Sequence, residues 1–534
     1  MHCGRTSIWL LGSSLAFALP ACGGDDTTAE SSAETGSGSE TSGETGSETE
    51  TGETEPENTW EVGDPCWSEP IAGNFTIENE THLQAVGGFP EITGSLRISA
   101  ASLTELAQLE CLTRVGGDLQ VTWNEALTDL SDLAALTEVG GDLLIRYNDN
   151  LTSLAGLEQV QGGGGALLVE GNAALASLEG LDGFGDFSGL ILDDNPALTS
   201  LAALANVSLG GSVQITRNDA LTSLAGLEGL VSPTNLDIAN NEGLSSLEGL
   251  AGVDVVGGNL TVRDNPSLTS LGGFAALTSV AGNFVVERNH ALDNLGEPFV
   301  LVDVGGSFNI LDNDGLTSLT GLDSLTLVSG DLRVEGNELL ASIEAPALEG
   351  VGARQRLIDL PALTSADLPG LLDVGSHFEV FRCGTIPSLA GTETVANVGG
   401  NFDLRELPAL TSLAPFADLS ALSLLRLRDV PALTDIGGLA SLTSIGNVEL
   451  RNTAAADLSG LAALAEVDGY LYIESNAALS DVSSLESLVL GSGELRVTDN
   501  PQLPTCFVDN LLTALEAGGY MGASTIEGNL ETCP

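Results

Sequence analysis

Gly257–Val280 reads GGNLTVRDNPSLTSLGGFAALTSV. Its parts are a Gly-Gly pair, a short alternating strand with Leu260 and Val262 apolar, an Asn at 265, and leucines at 268, 271 and 277. The same unit recurs through most of the chain, and a fixed period of this kind marks a stacked repeat architecture. The Asn serves as a marker: Asn124, Asn148, Asn172, Asn195, Asn218, Asn241, Asn265, Asn289, Asn313 and Asn337 follow one another at intervals of 23 or 24 residues. Equivalent positions continue as Leu360, Cys383, Leu407, Val430, Asn452, Asn476 and Asn500, and less regular copies centre near Asn79–Glu80 and Ala100. About nineteen coils result, each burying its apolar face only by stacking on its neighbours.

Five and three residues before the marker stand apolar pairs: Leu119 and Val121, Leu143 and Ile145, Leu260 and Val262, Phe284 and Val286, Phe402 and Leu404. Period two with the apolar set inward predicts a strand with one buried face. Phe284, Phe308, Phe378 and Phe402 share one inward position and should stack inside. The Gly pairs before the strand (Gly116-Gly117, Gly140-Gly141, Gly257-Gly258, Gly305-Gly306, Gly399-Gly400) are expected to supply a turn with positive φ. Leu360, Cys383, Leu407 and Val430 replace the marker Asn in some coils, and apolar replacements mean that the position faces inward. A buried Asn must have its amide satisfied. A ladder of Asn rungs is therefore expected, and a repeated metal ligand is disfavoured because hard cations want several convergent carboxylates. Parallel strands at about 4.8 Å give a body on the order of 90 Å long, and parallel crossovers are right-handed.

The pattern GG-x-L-x-V-x-x-N-x-x-L-T-S-L-x-x-L, as in Gly140–Leu157, resembles the receptor L-domain family over about residues 63–534. The resemblance implies a right-handed parallel β-helix of leucine-rich-repeat-like character, as found in growth-factor receptor ectodomains and bacterial surface proteins. It is a resemblance to the repeat consensus, so no ligand-binding residue carries over.

The two ends differ from the repeat. Residues 1–22 read as a lipoprotein signal peptide: Arg5 supplies the positive n-region, Ile8–Leu19 an apolar stretch too short to span a bilayer, and Leu19-Pro20-Ala21-Cys22 a lipobox-like end with Cys22 as the lipid attachment site. Gly23 and Gly24 after that Cys resemble outer-membrane sorting. Residues 23–62 are a Gly/Ser/Thr/Glu tether with 12 acidic residues and no basic one. Such a segment buries too little apolar surface to offset its ordering entropy, and its charge extends it. The solenoid follows from 63 to 534, with an N-terminal cap over 63–111 and a C-terminal cap over 501–534. Cys66 and Cys111 lie at one end, Cys506 and Cys533 at the other, and we expect the disulfides Cys66–Cys111 and Cys506–Cys533 in an oxidising compartment. A capping helix is expected over Phe507–Glu516, ended by Gly518-Gly519, then a strand over Ser524–Asn529. Cys383 stands at a marker position and reads as a small buried apolar residue rather than a nucleophile.

Charge narrows the function. The chain of 534 residues carries 75 acidic and 16 basic side chains, a formal charge of -59, and every basic residue is Arg. Phosphate-backbone binding needs a basic face, so nucleic acid is disfavoured as a partner, and anionic lipid is disfavoured on the same ground. Arg146, Arg217, Arg263, Arg288, Arg382, Arg405, Arg428 and Arg451 cluster one or two residues before the marker. Just before it, consecutive coils read Asp264, Arg288, Asp312, then Asp359, Arg382, Glu406, Asp429, Arg451. That alternation predicts a cross-strand charge ladder. Trp123 and Tyr147 occupy one position in adjacent coils beside Arg146, a candidate ligand face for a sugar or a protein. No cofactor or metal is implied. The reading is a non-enzymatic, lipid-anchored outer-membrane surface protein that recognises a protein or glycan in adhesion or envelope organisation, its membrane contact made through the lipid alone. Two alternatives stand beside it: a β-helix enzyme acting on an acidic polysaccharide, which would need clustered carboxylates with Arg in one groove, and a structural spacer.

Overall fold

The computed structural model describes residues 66–533 apart from 163, 297 and 298. The signal peptide, Cys22 and the whole of the tether lie outside the described residues. Residues 63–534 form one compact unit. It is a parallel β-solenoid of about eighteen turns, within one of the number expected from the marker spacing. Its long sheet pairs each strand with the one a coil later, always in parallel: Leu260 opposite Phe284, Phe284 opposite Phe308, Phe378 opposite Phe402. A second sheet of seven two-residue strands, from Val255–Val256 to Asn397–Val398, lines the side before the Gly corner. One turn therefore runs as a two-residue strand, a Gly corner, a strand of the long sheet, a tight turn, the marker, and a leucine-bearing stretch. In several coils that stretch tightens into a 3-10 turn such as Gly272–Phe274.

The apolar pairs are buried as phased. Leu260, Val262, Leu268, Leu271 and Leu277 have no exposed surface, and the core is continuous from Ile77 to Tyr520. The inward Phe positions stack across coils, Phe284 on Phe308 at 4.8 Å and Phe378 on Phe402 at 5.3 Å between ring centroids.

The marker Asn residues form the expected ladder. Asn265 donates its backbone N–H and its Nδ2 to Asn289 Oδ1, at 3.1 and 3.3 Å. Its Nδ2 also donates to Ile238 O in the previous coil, at 3.0 Å, and its own Oδ1 accepts the same pair of bonds from Asn241. Every polar atom of the rung is thus satisfied without water, which a fully buried amide requires. The ladder runs from Asn124 to Asn337 and stops where Leu360, Cys383, Leu407 and Val430 fill the position. It resumes one residue later than expected. Thr453, not Asn452, donates to Asn476 Oδ1, and Asn452 stands in the turn before it with φ 51°. An Asn satisfies either place, because it tolerates the left-handed region as well as burial.

The Gly pairs serve a different purpose from the one expected. Gly116, Gly140, Gly305 and Gly399 do not adopt positive φ. They are glycines because coils touch backbone to backbone: a Cβ on Gly140 would lie 2.4 Å from Gly116 O, and one on Gly305 2.3 Å from Ala281 O. The positive φ falls instead on the residue just before the marker, at 56° in Asp264, 52° in Arg288 and 53° in Asp312. That residue turns the chain so the next side chain points back into the core. The corner carries a second polar ladder: Asn283 N–H donates to Asn259 Oδ1 and Ser307 N–H to Asn283 Oδ1, at 2.9 and 2.8 Å.

Both ends are sealed. Thr505–Ala517 is a helix that buries Val508, Leu511 and Leu515 over the last coil, and the strand Ser524–Glu527 follows it. At the other end a helix over Glu80–Val86 replaces the leucine stretch; Asn79 caps it by accepting from His82 N–H at 3.0 Å, a cap signal the repeat had concealed. Cys66 is bonded to Cys111 and Cys506 to Cys533, so each staple ties a cap to the coils beside it.

Replacing Asn265 by Ala leaves the Asn241 backbone N–H without its acceptor in a dry core, takes one of three acceptors from Asn241 Nδ2, and removes the amide donor to Ile238 O. We expect a loss of about 2–4 kcal/mol, read as a lower urea midpoint of the full chain. An unchanged midpoint would contradict the ladder's role.

Candidate recognition face

The outer surface of the long sheet is where coils differ. The strands Leu119–Thr122, Leu143–Arg146, Ala166–Glu170 and Gly189–Asp193 lie side by side in register, Thr122 opposite Arg146, Arg146 opposite Glu170 and Glu170 opposite Asp193. Trp123 and Tyr147 follow these strands in the tight turn, with φ of 61° and 56°. Their rings stack at 4.2 Å with planes 23° apart. The next coil has Gly171 at that place, and a Cβ there would lie 2.5 Å from Tyr147 Cδ1, so the Tyr ring rests on bare backbone. The preceding coil lacks the left-handed turn: Ser99 directly follows Ile98, the register partner of Val121, and has no positive φ. Trp123 is 55% exposed.

The three residues of the candidate ligand face are therefore brought together, and Glu170, which the sequence reading missed, is what joins them. Its carboxylate accepts from Arg146 Nε at 2.7 Å and from the Tyr147 hydroxyl. The hydrogen bond to Glu170 raises the pKa of the Tyr147 hydroxyl. Arg146 is a half-buried ion-pair partner rather than a free cation. Beside this cluster, Leu144, Leu168 and Ile191 make a half-buried apolar row on the outward side, where Gln120 and Gln214 stand in the flanking coils. The Thr122 hydroxyl, next to Trp123, is buried without a hydrogen-bond partner. Reading the repeat down its outward columns finds the apolar row; nothing in the pattern marks Glu170 or the Thr122 hydroxyl.

The charge ladder is present. Arg288 donates to both oxygens of Asp264 a coil away, at 2.6 and 2.9 Å, and the guanidinium holds the Asp264 carboxyl below its ordinary pKa. Arg382 pairs with both oxygens of Asp359 in the same way, whereas Arg217 reaches Asp193, which ends the strand one residue before the turn. Arg451 stands on the strand itself, one residue earlier than the ladder position assigned to it, because Thr453 is the rung. A shallow groove of about 410 Å³ runs along the turn between Asp194 and His290. Its arginines are engaged by neighbouring acids, Arg288 by Asp264 and Arg217 by Asp193, and His290 Nδ1 lies 3.0 Å from Asp314 Oδ2. Among the described residues no group of His, Cys, Asp and Glu is placed to hold a metal ion.

Cys383 occupies its rung as a thiol. Its Sγ faces Leu357 O at 3.7 Å and Phe381 O at 3.5 Å, equivalent to the two carbonyls that a marker Asn reaches with Nδ2. Burial pushes its pKa up to about 12. His377 is no base for it: its Nδ1 accepts Asn401 N–H at 3.0 Å in the corner ladder. Because the thiolate is the reactive form, iodoacetamide at pH 8 should leave Cys383 unmodified in the native chain and label it after unfolding in urea. Native labelling at the rate of a free thiol would contradict this placement.

No family model and no curated protein sequence matches the chain. Among solved structures, the crystal structure of an internalin from Listeria monocytogenes is similar: it is 14% identical and covers 73% of this chain and 87% of its own, with a TM-score of 0.25. At that score the likeness adds nothing to what the chain's own strand pairing establishes.

Proposed function

We propose that this chain is a receptor L-domain-like surface lipoprotein whose solenoid recognises a protein or a glycan without catalysing a reaction. The exposed Trp123–Tyr147 pair carries this reading. Asp, Asn or Gly occupies the left-handed position in most coils, as sterics favour, whereas a bulky ring there costs on the order of 1–3 kcal/mol. Two consecutive coils bear that cost and leave an indole 55% exposed, with Gly171 seating the second ring. Strain kept at an exposed aromatic surface is a mark of binding, since such rings stack on sugars or fill a partner's pockets. The half-buried row Leu144, Leu168 and Ile191 extends the same surface.

Anchorage supports the same reading. Arg5, the apolar stretch Ile8–Leu19 and Cys22 have the order of a lipoprotein signal, and the acidic segment 23–62 suits a stalk that holds the body off a membrane. The proposed place is the outer membrane, with the solenoid on the cell surface.

Immobilised full chain, incubated with envelope extract and with a glycan array, tests this. A saturable ligand lost on Trp123→Ala, with thermal unfolding unchanged, is the expected result. Equal capture by the Ala variant would remove the aromatic pair from the binding face, and no ligand at all would leave a spacer. Mass spectrometry of the membrane fraction should find an acylated Cys22 as the mature start.

A further inference from the structure

The outward column that ends each strand of the long sheet holds an anomaly far from Trp123. Arg405 lies opposite Arg428, and Arg428 opposite Arg451, on three consecutive strands. Like charges directly opposite one another destabilise a sheet, and a chain with 75 acidic side chains has no shortage of counter-charges for this column. Acids do stand in the column elsewhere, at Glu335 and Glu474.

These arginines are also poorly paired. Elsewhere on the face most guanidinium groups grip carboxylates: Arg288 holds Asp264 at 2.6 Å, Arg356 holds Glu379 at 2.6 Å, and Arg426 holds Glu449 at 2.8 Å. Arg97 stands without a carboxylate among the described residues, but singly, opposite Thr76 and Gln120. Among the described residues Arg428 has only Asp429, at 3.5 Å, and Arg451 only Glu474, at 3.9 Å and shared with Arg496. Neither contact is a hydrogen bond. Arg405 lies 3.0 Å from Asp403 in misaligned geometry. Its Nε is buried, so what it offers a ligand is the outer end of a guanidinium on a side chain 34% exposed. Its guanidinium covers the Phe381 ring, 3.8 Å from the centroid, which fixes it in the row. The side chains of Arg428 and Arg451 are 45% and 44% exposed.

We infer that Arg405, Arg428 and Arg451 form a binding stripe for an acidic polysaccharide, the guanidinium groups taking oxyanions from its sugar residues. Unspent donors in a planar fork fit carboxylate and sulfate oxygens in pairs. Parallel strands repeat at about 4.8 Å, comparable to one pyranose ring in an extended chain; alternate rings turn over, so same-side oxyanions come every second ring, in step with every second rung, Arg405 and Arg451. An extended acidic peptide presents its same-side carboxylates about 6.6 Å apart and falls out of step over three rungs. The inference deepens the surface-recognition reading, but uses residues many coils away from Trp123.

Retention of the full chain on immobilised polygalacturonate, neutral galactan, dextran sulfate and polyglutamate tests the stripe. Polygalacturonate should retain the chain and neutral galactan should not. The double variant Arg428→Gln/Arg451→Gln should bind roughly tenfold or more weakly with its thermal unfolding no lower than the parent's, and Arg428→Lys/Arg451→Lys should recover only part of the loss. Trp123→Ala, which tests the other site, should bind polygalacturonate as the parent does. Stronger retention on dextran sulfate supports the stripe and assigns sulfate as the oxyanion. The inference is overturned if the Gln double variant binds undiminished, if neutral galactan binds equally, if polyglutamate binds more tightly than both glycans, or if no polyanion is retained.

Discussion

Each coil of this chain lies against the next at backbone distance, and the structure depends on satisfying the polar groups that this closeness buries. A strand can pair along its length, but the turn that follows it leaves N–H and C=O groups facing a dry interior. The marker Asn resolves this by placing a short amide where the backbone cannot reach: its oxygen takes two donors from one neighbouring coil, while its nitrogen reaches a carbonyl of that same coil and the amide oxygen of the coil on the other side. The period of 23 or 24 residues is the chain length needed to return to that point. Stacking, not local propensity, holds such a body together, since no single coil buries its own face.

Close contact also dictates where glycine and strain are found. Glycine at the corner removes the Cβ that would strike the previous coil's carbonyl, as at Gly140 and Gly305. The left-handed turn before the rung recurs in coil after coil, held by Asp, Asn or Gly in most and by Arg, Ser, Tyr or Trp in others. The turn is therefore a fixed property of the fold, and what varies is the side chain displayed there and its conformational cost. Many of the acids and arginines at and beside this turn neutralise one another across coils. The indole of Trp123 and the arginines of the three-rung row are among the groups left unspent.

The period, the inward apolar pairs, the Phe stacks, the capping helix and both disulfides were legible because each follows from spacing or from position at an end. The conformation of the Gly pairs was not. Glycine answers both to a positive φ and to a missing Cβ, and only the distance from Gly116 O to Gly140 separates the two causes. The rung at Thr453 was hidden because Asn452, one residue earlier, suits both the turn and the ladder. The helix Glu80–Val86 was masked by reading its cap, Asn79, as another marker. Of the candidate face, the neighbouring aromatics were legible from their shared repeat position. Glu170, which binds two of its members, was one acid among many until the coils were stacked.

The ladder makes the solenoid uneven along its length. Asn rungs are continuous from Asn124 to Asn337, whereas between Leu360 and Val430 the rung is apolar and the Gln355 amide lies buried without partners. Native-state hydrogen exchange followed by mass spectrometry reads this directly. Backbone amides of the coils from 241 to 313 should be the more protected, and those from 360 to 430 should open first as urea is added. Equal protection across the two regions, or earlier opening of the Asn-bearing coils, would show that something other than the buried amide ladder holds the stack together.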